Sequence, residues 1–309
     1  MPKVPVHFIG FLVNVDDTIL NLDLGDGFSI VKYSQQEVRK FLTIIEFHYG
    51  VEATTQGGVL GFSEDGRPSG SYCIVKQDII ELEGTPQGGV VISLGPLKDI
   101  SQSVRNKIRL LRLFKEGNVF IRFSFFYHLK DSEPATFQIA REGPLADTAR
   151  LVLNTNDIAK AQSFIKNYKI PFGHPQIQLA FDSFELSYES YNFGLSFLSL
   201  MISLETLLNP GKQELRYRVS RNAAVLLGKD KKHSQQIFKE VCDLYDKRST
   251  LVHTGNPKSI TTQDVLDLRN YVRGAIKEML KIVKNRDSIL SILNTCGFGE
   301  RPWIHCDNQ

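Results

Sequence analysis

The spacing of apolar residues changes near residue 156, and this change constrains the fold more than any other feature of the 309-residue chain. Up to about residue 150, β-branched and aromatic residues cluster in short runs separated by Gly, Pro, Asp and Asn, which is typical of strands. Beyond residue 156, apolar residues recur at three- and four-residue steps, as on one face of a helix. We therefore predict an α+β protein with a β-rich domain at 1–155 and a helical domain at 156–309.

The N-terminal half contains six runs with strand composition and two stretches with helical spacing. The strand runs are 4–15, 28–33, 58–62, 71–82, 89–94 and 118–127. The helical stretches are 35–48 and 99–114. A sandwich or partly closed barrel is the simplest architecture for such a domain, with the run at 119–127 as a central strand.

The C-terminal half is predicted to be a bundle of four or five helices with short connections. The long apolar segment 176–208 ends at Asn209-Pro210-Gly211. Further helices are expected at 213–227, at 234–253, from Thr261 to about residue 284, and at 286–293. A short helix at 157–168 precedes them, and a Pro/Gly-rich connector at 170–175 follows it.

Composition excludes several classes of protein. An apolar fraction of 42% with 23% charged residues is that of a soluble globular chain. The four cysteines are scattered without a C-x-x-C pair, which favours neither a disulfide framework nor a zinc finger and points to a reducing cytoplasm. Cys296, His305 and Cys306 lack the compact spacing of a zinc site, so we predict no metal. A net charge of +3 is too small to indicate a nucleic-acid partner by itself.

One helix carries two residues that could perform chemistry, Arg248 and His253. Val241, Tyr245 and Arg248 are spaced i, i+4, i+7, so Arg248 continues the inward stripe of its helix. A guanidinium in such a position needs a partner anion, because its desolvation is costly. His253 follows five residues later, about 140° further round an ideal helix. The two groups can act together only if the helix end is bent or a second subunit takes part.

Three segments of the helical half resemble the HEPN superfamily, specifically the bacterial ApeA-like HEPN domains. The resemblance covers roughly residues 175–285. Its segments are 197–208, which includes Glu205, 214–221, which includes Arg218 and Arg221, and Leu244-Tyr-Asp-Lys-Arg248-Ser-Thr-Leu-Val-His253.

The resemblance implies metal-independent cleavage of RNA, without a cofactor, by a homodimer joined through the helical domain. His253 would act on the attacking 2′-hydroxyl or the leaving 5′-oxygen, and Arg248 would bind the scissile phosphate. Glu205 would pair with Arg248 or Arg221 and support the site. Such enzymes serve in bacterial defence or toxin-like stress responses, and the N-terminal domain would bind an unknown trigger.

Other interpretations of the same residues stay open. A cation near a helix C-terminus can be a simple cap. Ser249 stands where active family members often have Asn or Asp, which favours a non-catalytic module for RNA binding or dimerisation. Arg218 and Lys247 belong to a basic excess that could follow a phosphate backbone or only be solvated, and Tyr245 could stack on a base or lie in the core.

Overall fold

The computed structural model divides the chain into two compact units, Met1–Lys169 and Ile170–Gln309. The residues that the structure describes are 3–55, 59, 61–62, 68–84, 90–92, 94–130, 133–141, 149–190, 192–209, 211, 213–282 and 285–300. The predicted α+β class is confirmed, because a β-rich first unit precedes an all-helical second one. Two predicted strand runs, 58–62 and 89–94, lie partly outside the described residues.

The first unit is built on one antiparallel sheet. Its strands are β1 (Lys3–Val13), β2 (Ser29–Tyr33), β3 (Gly61–Phe62), β4 (Pro68–Gly84), β5 (Val90–Ile92), β6 (Phe120–Lys130) and β7 (Glu133–Arg141). The order is β2-β4-β1-β6-β7, and β3 and β5 also pair with β4. β6 lies between β1 and β7, so the central strand predicted at 119–127 is confirmed.

Helices cover both faces of this sheet. They are α1 (Gln35–Tyr49), α2 (Glu52–Thr55), α3 (Leu94–Phe114) and α4 (Thr155–Asn167). Phe41 of α1 packs against Phe11 and Phe125 on one face. On the opposite face, Lys107 of α3 lies over the ring of Phe28. The described strands therefore form neither of the expected β architectures, a sandwich or a partly closed barrel, because helices supply the outer layers.

The boundary between the units lies later than residue 155, because α4 belongs to the first unit. The ring of Phe164 on α4 packs 5.8 Å from that of Phe114 on α3. Asp157 binds the Lys115 ammonium at 2.7 Å. The helix predicted at 157–168 is confirmed, but it packs within the first unit and not within the second.

The second unit contains six described helices. They are α5 (Pro175–Glu189), α6 (Phe193–Leu208), α7 (Leu215–Leu227), α8 (Lys231–Thr254), α9 (Thr262–Lys281) and α10 (Arg286–Thr295). The apolar segment that we expected as one helix is divided at Asn192, whose side chain accepts from the backbone N–H groups of Gly194 and Leu195 and starts α6. The capping box of Thr261 and Asp264 opens α9 as predicted.

The core of the second unit centres on α6, which packs against α5, α7, α8 and α9. Phe197, Leu200 and Leu204 on this helix are fully buried. Ser203 donates to the Ala180 carbonyl and ties α6 to α5. None of the described helices has the length and apolarity needed to cross a membrane.

Gly117 lies in the turn from α3 into β6, and a substitution at this position tests the packing of the first unit. Its φ is +147°, and an added Cβ would lie 2.6 Å from the Leu151 Cα. We expect Gly117→Ala to lower the free energy of unfolding by about 3 kcal/mol, because backbone strain and overpacking add. Gly173→Ala is the control, since no atom lies within 4 Å of its added Cβ. Equal urea-unfolding transitions for the two variants would contradict this account.

Candidate active site

Arg248 and His253 lie on one unbroken helix, α8. Thr250 donates to the Asp246 carbonyl and Thr254 donates to the Thr250 carbonyl, so the helical register continues to the last residue of α8. The helix ends at Gly255, whose left-handed φ of 65° closes the C-cap. The helix is therefore not interrupted between the two residues. Within one chain, the two side chains leave the helix about 140° apart.

The Arg248 side chain is only 30% exposed and makes two contacts with described residues. Its Nε lies 3.7 Å from Oε1 of Glu205 on α6. Its guanidinium carbon lies 5.7 Å from the centroid of the Tyr245 ring. The inward position predicted from helical phase thus has an anionic neighbour, and Glu205 approaches Arg248 rather than Arg221.

The Nη edge of Arg248 donates no hydrogen bond to a described residue. It shares this feature with the more exposed Arg218, whose Nε lies 3.7 Å from Glu214, and differs in it from four other arginines of the second unit. Arg221 donates to three carbonyls, and Arg286 donates to the Thr206 and Asn209 carbonyls. Arg269 and Arg273 donate to side chains and backbone on α5 and α9. A partly desolvated guanidinium with an unused bidentate edge is suited to bind an oxyanion.

Glu205 and Tyr245 form the inner side of this arrangement. Oε1 of Glu205 is buried and accepts no hydrogen bond from a described residue. Burial raises the pKa of Tyr245, and the Glu205 carboxylate raises it further, while Arg248 opposes this rise. Only 7% of Tyr245 is exposed, so its ring cannot stack on a nucleic-acid base as one interpretation of the sequence suggested.

His253 is exposed in the last turn of α8, close to the start of α6. A Cβ added at Gly194 on α6 would lie 3.6 Å from Leu251 Cδ2 on α8, which shows how closely these helix ends approach. The ring is therefore accessible to a substrate.

The remaining candidate residues serve the fold in ways that the sequence did not reveal. Arg221 donates to the carbonyls of Leu293, Asn294 and Cys296 and caps α10.

Lys247 donates to both carboxylate oxygens of Asp264 at 2.7 Å. The Arg218 Nε lies 3.7 Å from Glu214. Ser249 is half-buried beside Arg248. The basic excess around the pair is thus partly neutralised by local acids, and no continuous phosphate-binding face follows from it.

Two buried arginines on α9 were not predicted from the sequence. Arg269 is 2% exposed and lies 4.1 Å from the centroid of the Tyr188 ring. Arg273 is 5% exposed and donates to the Tyr188 hydroxyl. Their spacing from Val265, i+4 and i+8, places both on the buried stripe, so the phase argument applied to Arg248 would have identified them.

Within the described part of the chain, no three His, Cys, Asp or Glu side chains are grouped closely enough to bind a metal. Of the tail residues considered for zinc, Cys296 is buried at the end of α10. His305 and Cys306 lie outside the described residues.

The ion pair of Lys247 and Asp264 leads to a prediction about the stability of the fold at acid pH. Burial alone would raise the pKa of Asp264, but hydrogen bonds from Lys247 and Thr261 outweigh it and lower the pKa below 3.8. The stabilisation is therefore complete above pH 3.8 and is lost as the pH falls through the lowered pKa. We expect Asp264→Asn to cost about 1 kcal/mol at neutral pH, from the weakened cap and ion pair.

Urea unfolding of the wild type and of Asp264→Asn, at neutral pH and below pH 3.8, measures this difference. The two unfolding curves should converge at the lower pH. A deficit that stays equal at both pH values would exclude a role for the charge of Asp264.

Comparisons of the chain with protein-family models, with curated proteins and with solved structures find no match. The case for a function therefore depends on the quoted sequence resemblance and on the arrangement of Arg248, Glu205, Tyr245 and His253.

Proposed function

We propose that the protein is a metal-independent RNA endonuclease of the HEPN type that acts as a homodimer. The observation that carries the proposal is the half-buried Arg248, whose Nε edge faces Glu205 and whose Nη edge is unused by the described residues. Keeping such a guanidinium partly out of water is costly unless an anion completes its coordination. A phosphodiester matches the unused edge in charge and in bidentate geometry.

The roles of the two residues follow from their acid–base chemistry. A guanidinium is a permanent cation, so Arg248 binds the scissile phosphate and stabilises the additional charge of the transition state. Imidazole is the side chain best suited to proton transfer near neutral pH, so His253 moves a proton at the 2′-hydroxyl or at the leaving 5′-oxygen. Ser249 can support the site through its hydroxyl.

Two copies would complete the site, because α8 is uninterrupted and its helical phase directs Arg248 and His253 to different sides. An exposed apolar surface next to the pair supports such an association. Phe193, Leu195 and Ile202 on α6 and Val252 on α8 are each more than half exposed. Leu195 and Ile202 are seven residues apart and lie on one side of α6, and exposed apolar side chains that share a side are typical of an interface. We assign this α6/α8 surface to the contact between the copies.

The family resemblance also suggests the setting in which the enzyme acts. Related domains serve in bacterial defence or in toxin-like stress responses. The first unit would then bind a trigger whose chemistry is not specified by its sheet and helices.

Cleavage of RNA in the presence of EDTA tests the proposal directly. We expect the wild type to cleave, and His253→Ala and Arg248→Ala each to lose about 10²- to 10⁴-fold in rate. His174→Ala is the matched control, because His174 is exposed in the same unit and its side chain makes no capping bond. Absence of cleavage, or equal rates for wild type and His253→Ala, would leave only a non-catalytic RNA-binding or dimerisation module.

The association through the α6/α8 surface is tested with Ile202→Asp. A charge in an apolar contact costs several kcal/mol, so we expect this variant to be monomeric and inactive. Ile79→Asp is the matched control, since Ile79 is an equally apolar exposed side chain on β4 of the first unit. Analytical ultracentrifugation reports the oligomeric state. A dimeric, active Ile202→Asp variant would show that another surface joins the copies.

A mixing experiment shows whether the two copies share one site. If Arg248 of one copy acts with His253 of the other, a heterodimer of Arg248→Ala and His253→Ala retains one complete pair. Random exchange then restores about one quarter of the wild-type activity, because half of the dimers are mixed and each has one of two sites. No recovery on mixing would mean that each site takes both residues from one chain.

A further inference from the structure

Glu205 alone does not fix the orientation of the Arg248 guanidinium. The 3.7 Å between Nε and Oε1 exceeds the length of a hydrogen bond, so this contact supplies attraction without defining the plane of the group. The arginine stem is long and its side chain is 30% exposed. An unconstrained guanidinium would present its Nη edge in many directions. Ordering the guanidinium when a phosphate binds would then cost free energy and weaken the binding.

The Tyr245 ring supplies a second, planar contact. Tyr245 precedes Arg248 by three residues on α8, the spacing at which helical side chains meet. The distance of 5.7 Å from the guanidinium carbon to the ring centroid lies within cation–π range. Only 7% of Tyr245 is exposed, so packing holds the ring itself in place. Glu205 and the aromatic face together leave the Nη edge as the part of the guanidinium open to a ligand.

We propose that the buried Tyr245 ring is the platform that orients the Arg248 guanidinium toward the scissile phosphate, which makes Tyr245 a positioning residue. This role rests on the ribonuclease function proposed above. It replaces the base-stacking role considered from the sequence, since the ring acts on the arginine and not on the RNA.

Two substitutions distinguish the role of the Tyr245 ring from that of its hydroxyl group. Tyr245→Phe keeps the aromatic face, whereas Tyr245→Leu removes it and keeps an apolar side chain. We expect Tyr245→Leu to lower kcat/KM for RNA by about fivefold, the size of a partly exposed cation–π contact, with the loss in kcat. Tyr245→Phe should rescue the activity. Phe238→Leu is the control, because it removes an aromatic ring from the same helix at a position that packs on Tyr217 and Phe298.

A spectroscopic measurement reports the contact without catalysis. In protein labelled with ¹⁵N-arginine, the Arg248 Nε–H signal is assigned by its absence from Arg248→Lys. The signal should shift in Tyr245→Leu, because the ring current is lost, and should keep its position in Tyr245→Phe and Phe238→Leu.

An unshifted Arg248 signal in Tyr245→Leu would contradict the proposed positioning role of Tyr245. So would equal losses of kcat in the Leu and Phe variants, since the hydroxyl and not the ring would then matter. A wild type without ribonuclease activity would overturn the proposed function instead, and the NMR comparison would still decide the role of the ring.

Discussion

The carbonyl groups in the last turn of a helix have no partner within that helix, and in the second unit arginines from elsewhere in the bundle supply the missing donors. Arg269, Arg286 and Arg221 donate to carbonyls at the C-terminal ends of α5, α6 and α10. Each of these bonds satisfies a helix end and also satisfies a guanidinium that has partly or fully left water. α8 ends at Gly255 instead, and Arg248 on that helix keeps its Nη edge unused by the described residues. Arg248 thus differs from the arginines that hold the bundle together.

The sequence was most informative where one residue period persists over many positions. The change from strand runs to helical spacing predicted the two kinds of unit, and the capping box of Thr261 with Asp264 predicted the start of α9. The assignment of α4 was wrong, because helical spacing shows that a helix has an apolar side and does not show which neighbour covers it. The division between α5 and α6 was missed because apolar residues continue through both helices and Asn192 is a single local signal. The β architecture depends on long-range pairing and on helices that cover the sheet, which local patterns do not encode.

The candidate site could be predicted only where it depends on the spacing of residues along one helix. Helical phase indicated that Arg248 points inward and that His253 does not share its side, and both statements concern one helix. The other roles depend on groups far away in the chain: Arg221 finds carbonyls of α10, and Lys247 finds Asp264 on α9. A long cation can reach several such partners, so its sequence neighbours do not determine which one it takes. Burial of Tyr245 likewise follows from the packing of the whole bundle.

The uninterrupted course of α8 from Arg248 to His253 has a kinetic consequence. If neither a bend nor a side-chain rotation brings Arg248 and His253 of one chain to the same phosphate, the active species contains two chains. While dimers are scarce, their concentration rises with the square of the chain concentration, so halving the protein reduces activity to about one quarter. If the proposed ribonuclease function holds, the abundance of the chain would then act as a threshold: sparse copies would leave RNA intact, and local accumulation would start its cleavage.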